Sequence, residues 1–184
     1  MLTFIQYLYE ENQPNEEVPD QYVYHGGTYK GGEYNPHARG EPGDLRPMGR
    51  GIYTGATEGH AGLYTKYATN GTVQKFRIKK GAKIYPFNGA AWRASSPSEQ
   101  TFWKEKSKEI QVAFEQAGLV RKNTFSGEYY AWSLAVSTTH DNKTRELIRQ
   151  KLVELGIDGA KEILHPEIGM IEFCFYNTNV LIPA

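Results

Sequence analysis

The sequence predicts an α+β domain, on three observations. Short strand-forming runs and helical runs follow one another in an uneven order, not in the regular alternation of a doubly wound sheet. No Gly-x-Gly-x-x-Gly opens a strand–helix unit, which argues against a Rossmann dehydrogenase. The length of 184 residues and the hydrophobic fraction of 39% suit one globular domain with a sizeable core and leave no room for a second.

The elements follow from local pattern. Leu2, Ile5, Leu8 and Tyr9 recur at helical spacing and predict a short amphipathic helix. Glu11 to Asp20 is acidic and polar, with two prolines, and reads as a linker, so residues 1–21 precede a main domain over 22–184. Tyr22–His25 is a β-rich run ending at Gly26-Gly27. Lys30 to Gly51 is rich in Gly, Pro and charge and has no period, which marks a long loop; compact domains keep such loops for function or motion. Gly51–Thr54 is a second short strand, and Gly59–Thr69 a helix with Ala61, Tyr64 and Ala68 along one face. Thr72–Ile78 alternates as a strand and Lys83–Phe87 follows as another. Ser98 to Gly118 is a helix, capped by Ser98 and stopped by Gly118. Glu128–Val136 reads as helix, with Tyr129, Trp132 and Val136 on its buried side. Asn142 to Gly156 is a helix with Asn142 as cap, apolar Leu147, Ile148, Leu152 and Leu155, and Gly156 as stop. Ile157–Lys161 and Gly169–Tyr176 are strands, and Asn179–Ile182 is a short last one.

Composition narrows the function classes. Lys+Arg and Asp+Glu are 21 each, so no global charge pulls the chain toward nucleic acid or anionic lipid. Cys174 is the only cysteine; it can form neither an internal disulfide nor a cysteine zinc cage, which suits a reducing cytoplasm. No stretch is apolar enough to cross a membrane, and MLTFIQYLYEE lacks the basic start and small-residue cleavage site of a secretory signal.

Three segments carry chemistry. In Tyr24-His25-Gly26-Gly27, a histidine at a strand end meets two glycines, which allow a ligand to approach the main chain closely. In Gly49-Arg50-Gly51-Ile52-Tyr53-Thr54, followed by His60-Ala61-Gly62-Leu63-Tyr64, ten residues separate Tyr53 from Tyr64, and the two rings could flank a planar heterocycle. In Ile171-Glu172-Phe173-Cys174-Phe175-Tyr176-Asn177, alternation puts Glu172 with Cys174 and Tyr176 on one face and Ile171, Phe173 and Phe175 on the other. A carboxylate in so apolar a strand is costly to bury without a partner or a task. Taken singly, each segment has a plain alternative: a histidine before a turn, a tyrosine in the core, a strand-edge glutamate facing solvent.

Together, a sequential His, Tyr and Glu on three strands resembles the diphtheria-toxin and poly(ADP-ribose) polymerase branch of the ADP-ribosyltransferase superfamily. Tyr24-His25-Gly26-Gly27 is similar to that branch's Tyr-His-Gly-Thr/Ser, with Gly27 in place of the hydroxyl residue. Gly49 to Tyr64 is similar to its Gly-Lys-Gly-Ile-Tyr segment with a second tyrosine after ten residues, and Glu172 to Asn177, with Val180 beyond, to its Glu-Tyr-Ile-Val-Tyr-Asp strand. The middle of the chain, Phe87 to Thr139, carries no motif of the family.

The resemblance implies an ADP-ribosyltransferase-like split β-sheet with flanking helices, holding NAD⁺ as substrate with no metal required. It implies His25, Tyr53 and Glu172 as catalytic, and His25, Gly26, Gly27, Arg39, Arg50, Tyr53, Thr54, Ala61 and Tyr64 as NAD⁺-binding. His25 would bond the adenosine ribose, Gly26 the nicotinamide amide, and Arg39, Arg46 or Arg50 the pyrophosphate. Glu172 would accept from the ribose 2′-hydroxyl and stabilise the oxocarbenium-like charge that develops there. Met170 stands where the arginine-modifying branch has Glu or Gln. The expected activity is mono-ADP-ribosylation of a macromolecular acceptor, with protein favoured over nucleic acid and a monomeric enzyme. The alternatives are a NAD⁺ glycohydrolase, an inactive nucleotide-binding module, or a phage structural protein. The last arises because the N-terminus also resembles the targeting peptides of internal head proteins of large tailed phages, and Leu8-Tyr9-Glu10 the triplet their prohead proteases recognise, with Glu11 where a small residue is usual. Lys104, Lys106 and Lys108 beside Trp103 suggest either a docking face for the acceptor or a solvated charged surface.

Overall fold

The computed structural model describes residues 21–33, 48–67, 70–119 and 142–184. The N-terminal helix, linker and tag, most of the long loop with Arg39 and Arg46, and the helix expected over Glu128–Val136 lie outside the described residues.

Among the described residues, seven strands build one sheet: β1 (Tyr22–Gly27), β2 (Ile52–Gly55), β3 (Thr72–Ile78), β4 (Ile84–Pro86), β5 (Gly159–His165), β6 (Met170–Phe175) and β7 (Leu181–Pro183). Their order is β4-β5-β6-β2-β1-β3-β7. Only β4 and β5 run parallel; the other neighbours are antiparallel. The α-helices among the described residues are α1 (Glu58–Gly62), α2 (Gly89–Ala94), α3 (Pro97–Gln116) and α4 (Asn142–Glu154). The mixed α+β class expected from the uneven element order is what the chain forms.

The period of two decides which side chain meets which core. On one side of the sheet Tyr53, Ala160, Cys174 and Tyr176 pack with Tyr85, Trp103, Phe114, Ile148 and Leu152. On the other, Val23, Ile52, Phe76, Ile171, Phe173 and Phe175 form a second cluster with Ala91 and Leu181. The alternation expected along β6 is thus the one observed.

The seam between β1 and β2 is narrow. Their register is Tyr24 opposite Gly55, whereas β1 and β3 pair from Tyr22↔Arg77 to Gly27↔Thr72. Beyond Tyr24 the ladder gives way to a side-chain bond from His25 to the Tyr53 carbonyl.

Several elements differ from the sequence expectation. The helix expected over Gly59–Thr69 is a five-residue α1 followed by a 3₁₀ turn over Thr65–Tyr67, because Thr57 caps it early by accepting from His60 N and the backbone turns at Leu63. The cap of α3 is Ser96, not Ser98: Ser96 Oγ accepts from Glu99 N at 3.2 Å, and Pro97 takes the first turn, where its missing N–H costs nothing. α2 was not expected; Asn88 starts it by accepting from Ala91 N at 2.9 Å. In α4 the buried stripe runs through Arg145, Ile148 and Leu152, and Leu147 is 44% exposed. β5 begins later than Ile157 and runs to His165, because pairing with β6 carries it on. The expected strand over Asn179–Ile182 is a 3₁₀ turn over Thr178–Val180 leading into β7. The end of the long loop is not open: Met48 and Gly49 are buried, and their carbonyls accept from Tyr176 Oη at 2.8 Å and Tyr53 Oη at 2.9 Å.

Candidate functional site

His25 lies within β1 at the seam and is 2% exposed. Its Nδ1 lies 2.8 Å from the Tyr53 carbonyl. A carbonyl only accepts, so Nδ1–H donates, and in the neutral ring Nε2 keeps its lone pair. Tyr29 packs edge-on against the imidazole, with centroids 5.9 Å apart. The β1–β2 seam is thus bridged by an imidazole whose tautomer is set by the main chain.

Gly26 explains why the segment needs glycine. A Cβ placed there would fall 1.8 Å from the Ala61 carbonyl oxygen, so α1 lies directly on the β1 backbone. Ala61 is buried, and its carbonyl accepts from Tyr64 N at 3.0 Å. That contact delivers Tyr64 to the sheet. Gly27 ends β1 opposite Thr72.

Glu172 sits on β6, an interior strand between β5 and β2, and is 5% exposed. The edge-glutamate alternative is therefore excluded. Tyr64 Oη donates to Glu172 Oε1 at 3.1 Å across 108 residues of chain. Gly55 stands opposite Glu172 in the β2–β6 register, and Tyr53 opposite Cys174. Tyr64 and Glu172 are thus joined on the face that carries α1, whereas His25, alternating with Gly26 and packed on Tyr29, points to the other face and reaches Tyr53 through its main chain. Tyr53, however, lies in the core with its hydroxyl tied to Gly49, while Tyr64 is half-buried beside Glu172. Thr54 turns to the other side of β2; its Oγ1 is buried and has no hydrogen-bond partner among the described residues.

Arg50 borders the group from outside, where Nε lies 3.7 Å from Glu146 Oε2 on α4. Glu146 also holds Arg149, whose Nη1 donates to the Tyr176 carbonyl at 2.7 Å. Burial holds the Tyr176 hydroxyl well above the ordinary tyrosine range, so it stays a neutral donor to Met48.

Two neighbours were not singled out from sequence. His60 is buried, its ring centroid 5.6 Å from that of Tyr64, and it packs against Gly55. Glu162 is buried and stands directly opposite Glu172 in the β5–β6 register. Alternation from Ala160 puts Glu162 on that face, but a β5 placed over Ile157–Lys161 ends one residue too soon to include it.

No family model, curated protein or solved structure matches this chain. The site therefore rests on its own residues.

Elsewhere, a cavity of about 380 Å³ opens between the start of α3 and the β4 edge, lined by Lys83, Glu99, Phe102 and Lys161 among others. It contains none of the site residues, and the Lys161–Glu99 ion pair, at 3.4 Å, closes part of its wall. Trp103 is a core residue, so the lysines of α3 do not share a surface with it; Lys106 pairs with Glu109 and Lys104 and Lys108 are exposed. Among the described residues no helix is long and apolar enough to cross a membrane.

Proposed function

We propose that the chain binds NAD⁺ at the β1–β2 seam, cleaves its nicotinamide glycosidic bond and transfers ADP-ribose to a macromolecular acceptor, protein in preference to nucleic acid. One observation carries the reading. Glu172, a carboxylate buried on an interior strand, accepts a hydrogen bond from Tyr64 and faces the strand whose Tyr53 carbonyl is held by His25. Burying an acidic side chain in so apolar a strand is expensive and calls for a task. Tyr64 and Glu172, 108 residues apart in sequence, meet at that bond. The seven strands form one sheet rather than two, and its narrow β1–β2 seam is where a split of the ADP-ribosyltransferase type would open.

In this reading Glu172 accepts from the 2′-hydroxyl of the nicotinamide ribose. As the C1′–N bond breaks, its electron pair goes to the nicotinamide nitrogen, and positive charge spreads over C1′ and the ring oxygen. A fixed carboxylate in a water-poor site stabilises that charge without reorganising. Tyr64 holds the Glu172 carboxylate and offers its ring face to the nicotinamide. His25 Nε2 accepts from a hydroxyl of the adenosine ribose, and Gly26 seats α1 and so places Tyr64 beside Glu172. Arg50, drawn from Glu146, meets the pyrophosphate. The nucleophile then bonds to C1′ and releases its proton.

Incubation with NAD⁺ carrying label on the adenylate, together with a cell lysate, tests this. Free nicotinamide with label on protein is expected. Nicotinamide with free ADP-ribose alone would make the chain a glycohydrolase. No nicotinamide would leave an inactive binding module or a structural protein.

A further inference from the structure

The proposed reaction needs a base for the proton the acceptor releases, and Glu172 is already engaged with the ribose. We infer that Glu162 is that base. The inference rests on the transferase reading above.

Glu162 and Glu172 are Cα partners on adjacent antiparallel strands, as are Ala160 and Cys174. Residues directly opposite in such a pair stand on the same face, with Cα atoms about 4.5–5.5 Å apart. Glu162 is 7% exposed, so this is no solvated surface charge. The β5–β6 ladder shifts register between Ile163 and His165, immediately after Glu162. Bulges of this kind re-aim side chains next to active sites.

Burying two carboxylates side by side calls for donors around them. The surrounding elements supply these. On α4, Arg145 is 4% exposed and lies in line with Ile148 and Leu152, which pack with Ala160 and Cys174. After α1, Tyr64 donates to Glu172. His60 lies beside Tyr64, with ring centroids 5.6 Å apart. With Glu172 holding the ribose, the Glu162 carboxylate is the second acceptor on that face. The attacking oxygen or nitrogen bonds to C1′ and its proton passes to Glu162; nicotinamide leaves with the glycosidic electron pair, and charge balances.

Azide separates a base from a structural glutamate, because it is an anion and has no proton to lose. In Glu162→Gln, nicotinamide release with water or the protein acceptor should fall roughly 100-fold, in kcat and not in KM for NAD⁺. Added azide should bring the rate back toward wild type and yield ADP-ribosyl azide. If Glu162→Gln fails to fold, Glu162→Asp provides the same comparison, its shortened carboxylate giving a slow, azide-rescued enzyme. Unchanged kcat, or equal loss with and without azide, overturns the assignment while the transferase reading stands. Absence of nicotinamide release from the wild type overturns the reading itself, and the assignment with it.

Discussion

Replacing Gly26 by Ala probes how the site is assembled. The added Cβ would lie 1.8 Å from the Ala61 carbonyl oxygen and 2.7 Å from its carbon, both main-chain atoms. Contacts below 3.0 Å are essentially never tolerated, so α1 must retreat by about 1.2 Å or the sheet must bend away. Overpacking of this kind costs about 3 kcal/mol. For a chain of this size that lowers Tm by roughly 6–12 °C. The functional effect is larger in proportion. Tyr64 follows Ala61 by one turn and meets Glu172 at 3.1 Å, so the same retreat breaks that bond. A misplacement of about 1 Å in a catalytic constellation costs on the order of 100-fold in rate. Calorimetry and an NAD⁺ turnover assay read both effects. Gly59→Ala is the control, since its Cβ enters open space on the same helix. Wild-type Tm and turnover in Gly26→Ala would refute the packing argument.

Tyr64→Phe keeps the ring but removes the donor to Glu172; a bond to a charged acceptor is worth about 1.5–3 kcal/mol, so turnover should fall roughly tenfold or more, measured as nicotinamide release. Tyr176→Phe leaves the buried Met48 carbonyl without that donor and should cost about 1–3 kcal/mol in urea denaturation. The wild type should lose stability as pH rises past about 10, where the unfolded tyrosine ionises while burial keeps Tyr176 neutral in the fold, so the unfolded state binds fewer protons. That loss should be smaller in Tyr176→Phe; an identical decline in both chains would contradict it. Leu152→Ala empties a fully buried position and should cost about 2–5 kcal/mol by the same denaturation.

Strand alternation made much of this legible in sequence. Thr72–Ile78 is β3 residue for residue, and the two faces of β6 follow from Ile171 to Tyr176. Register is what a single strand cannot state. That Glu172 lies opposite Gly55 on one side and Glu162 on the other depends on three strands meeting, and only the fold shows it. The role of Gly26 was half visible: glycine signals close approach, but the approaching group within the chain is Ala61. Tyr53 shows the opposite limit. Its motif context suggested a ring turned toward a ligand, whereas its hydroxyl ties the loop end at Gly49 and its ring packs in the core. Ser96 was legible in hindsight, since Ser-Pro-x-Glu is a capping signature with proline in the first turn.

The central claim is that Glu172 is a working carboxylate in an NAD⁺ site. The most direct measurement is the rate of nicotinamide release from NAD⁺ by the wild type and by Glu172→Gln, which keeps shape and hydrogen bonding but removes the charge. The account predicts release by the wild type and a loss of roughly 10²–10³-fold in the variant, as for removal of one preorganised charge-stabilising group. Equal rates, or no release from either, would contradict it.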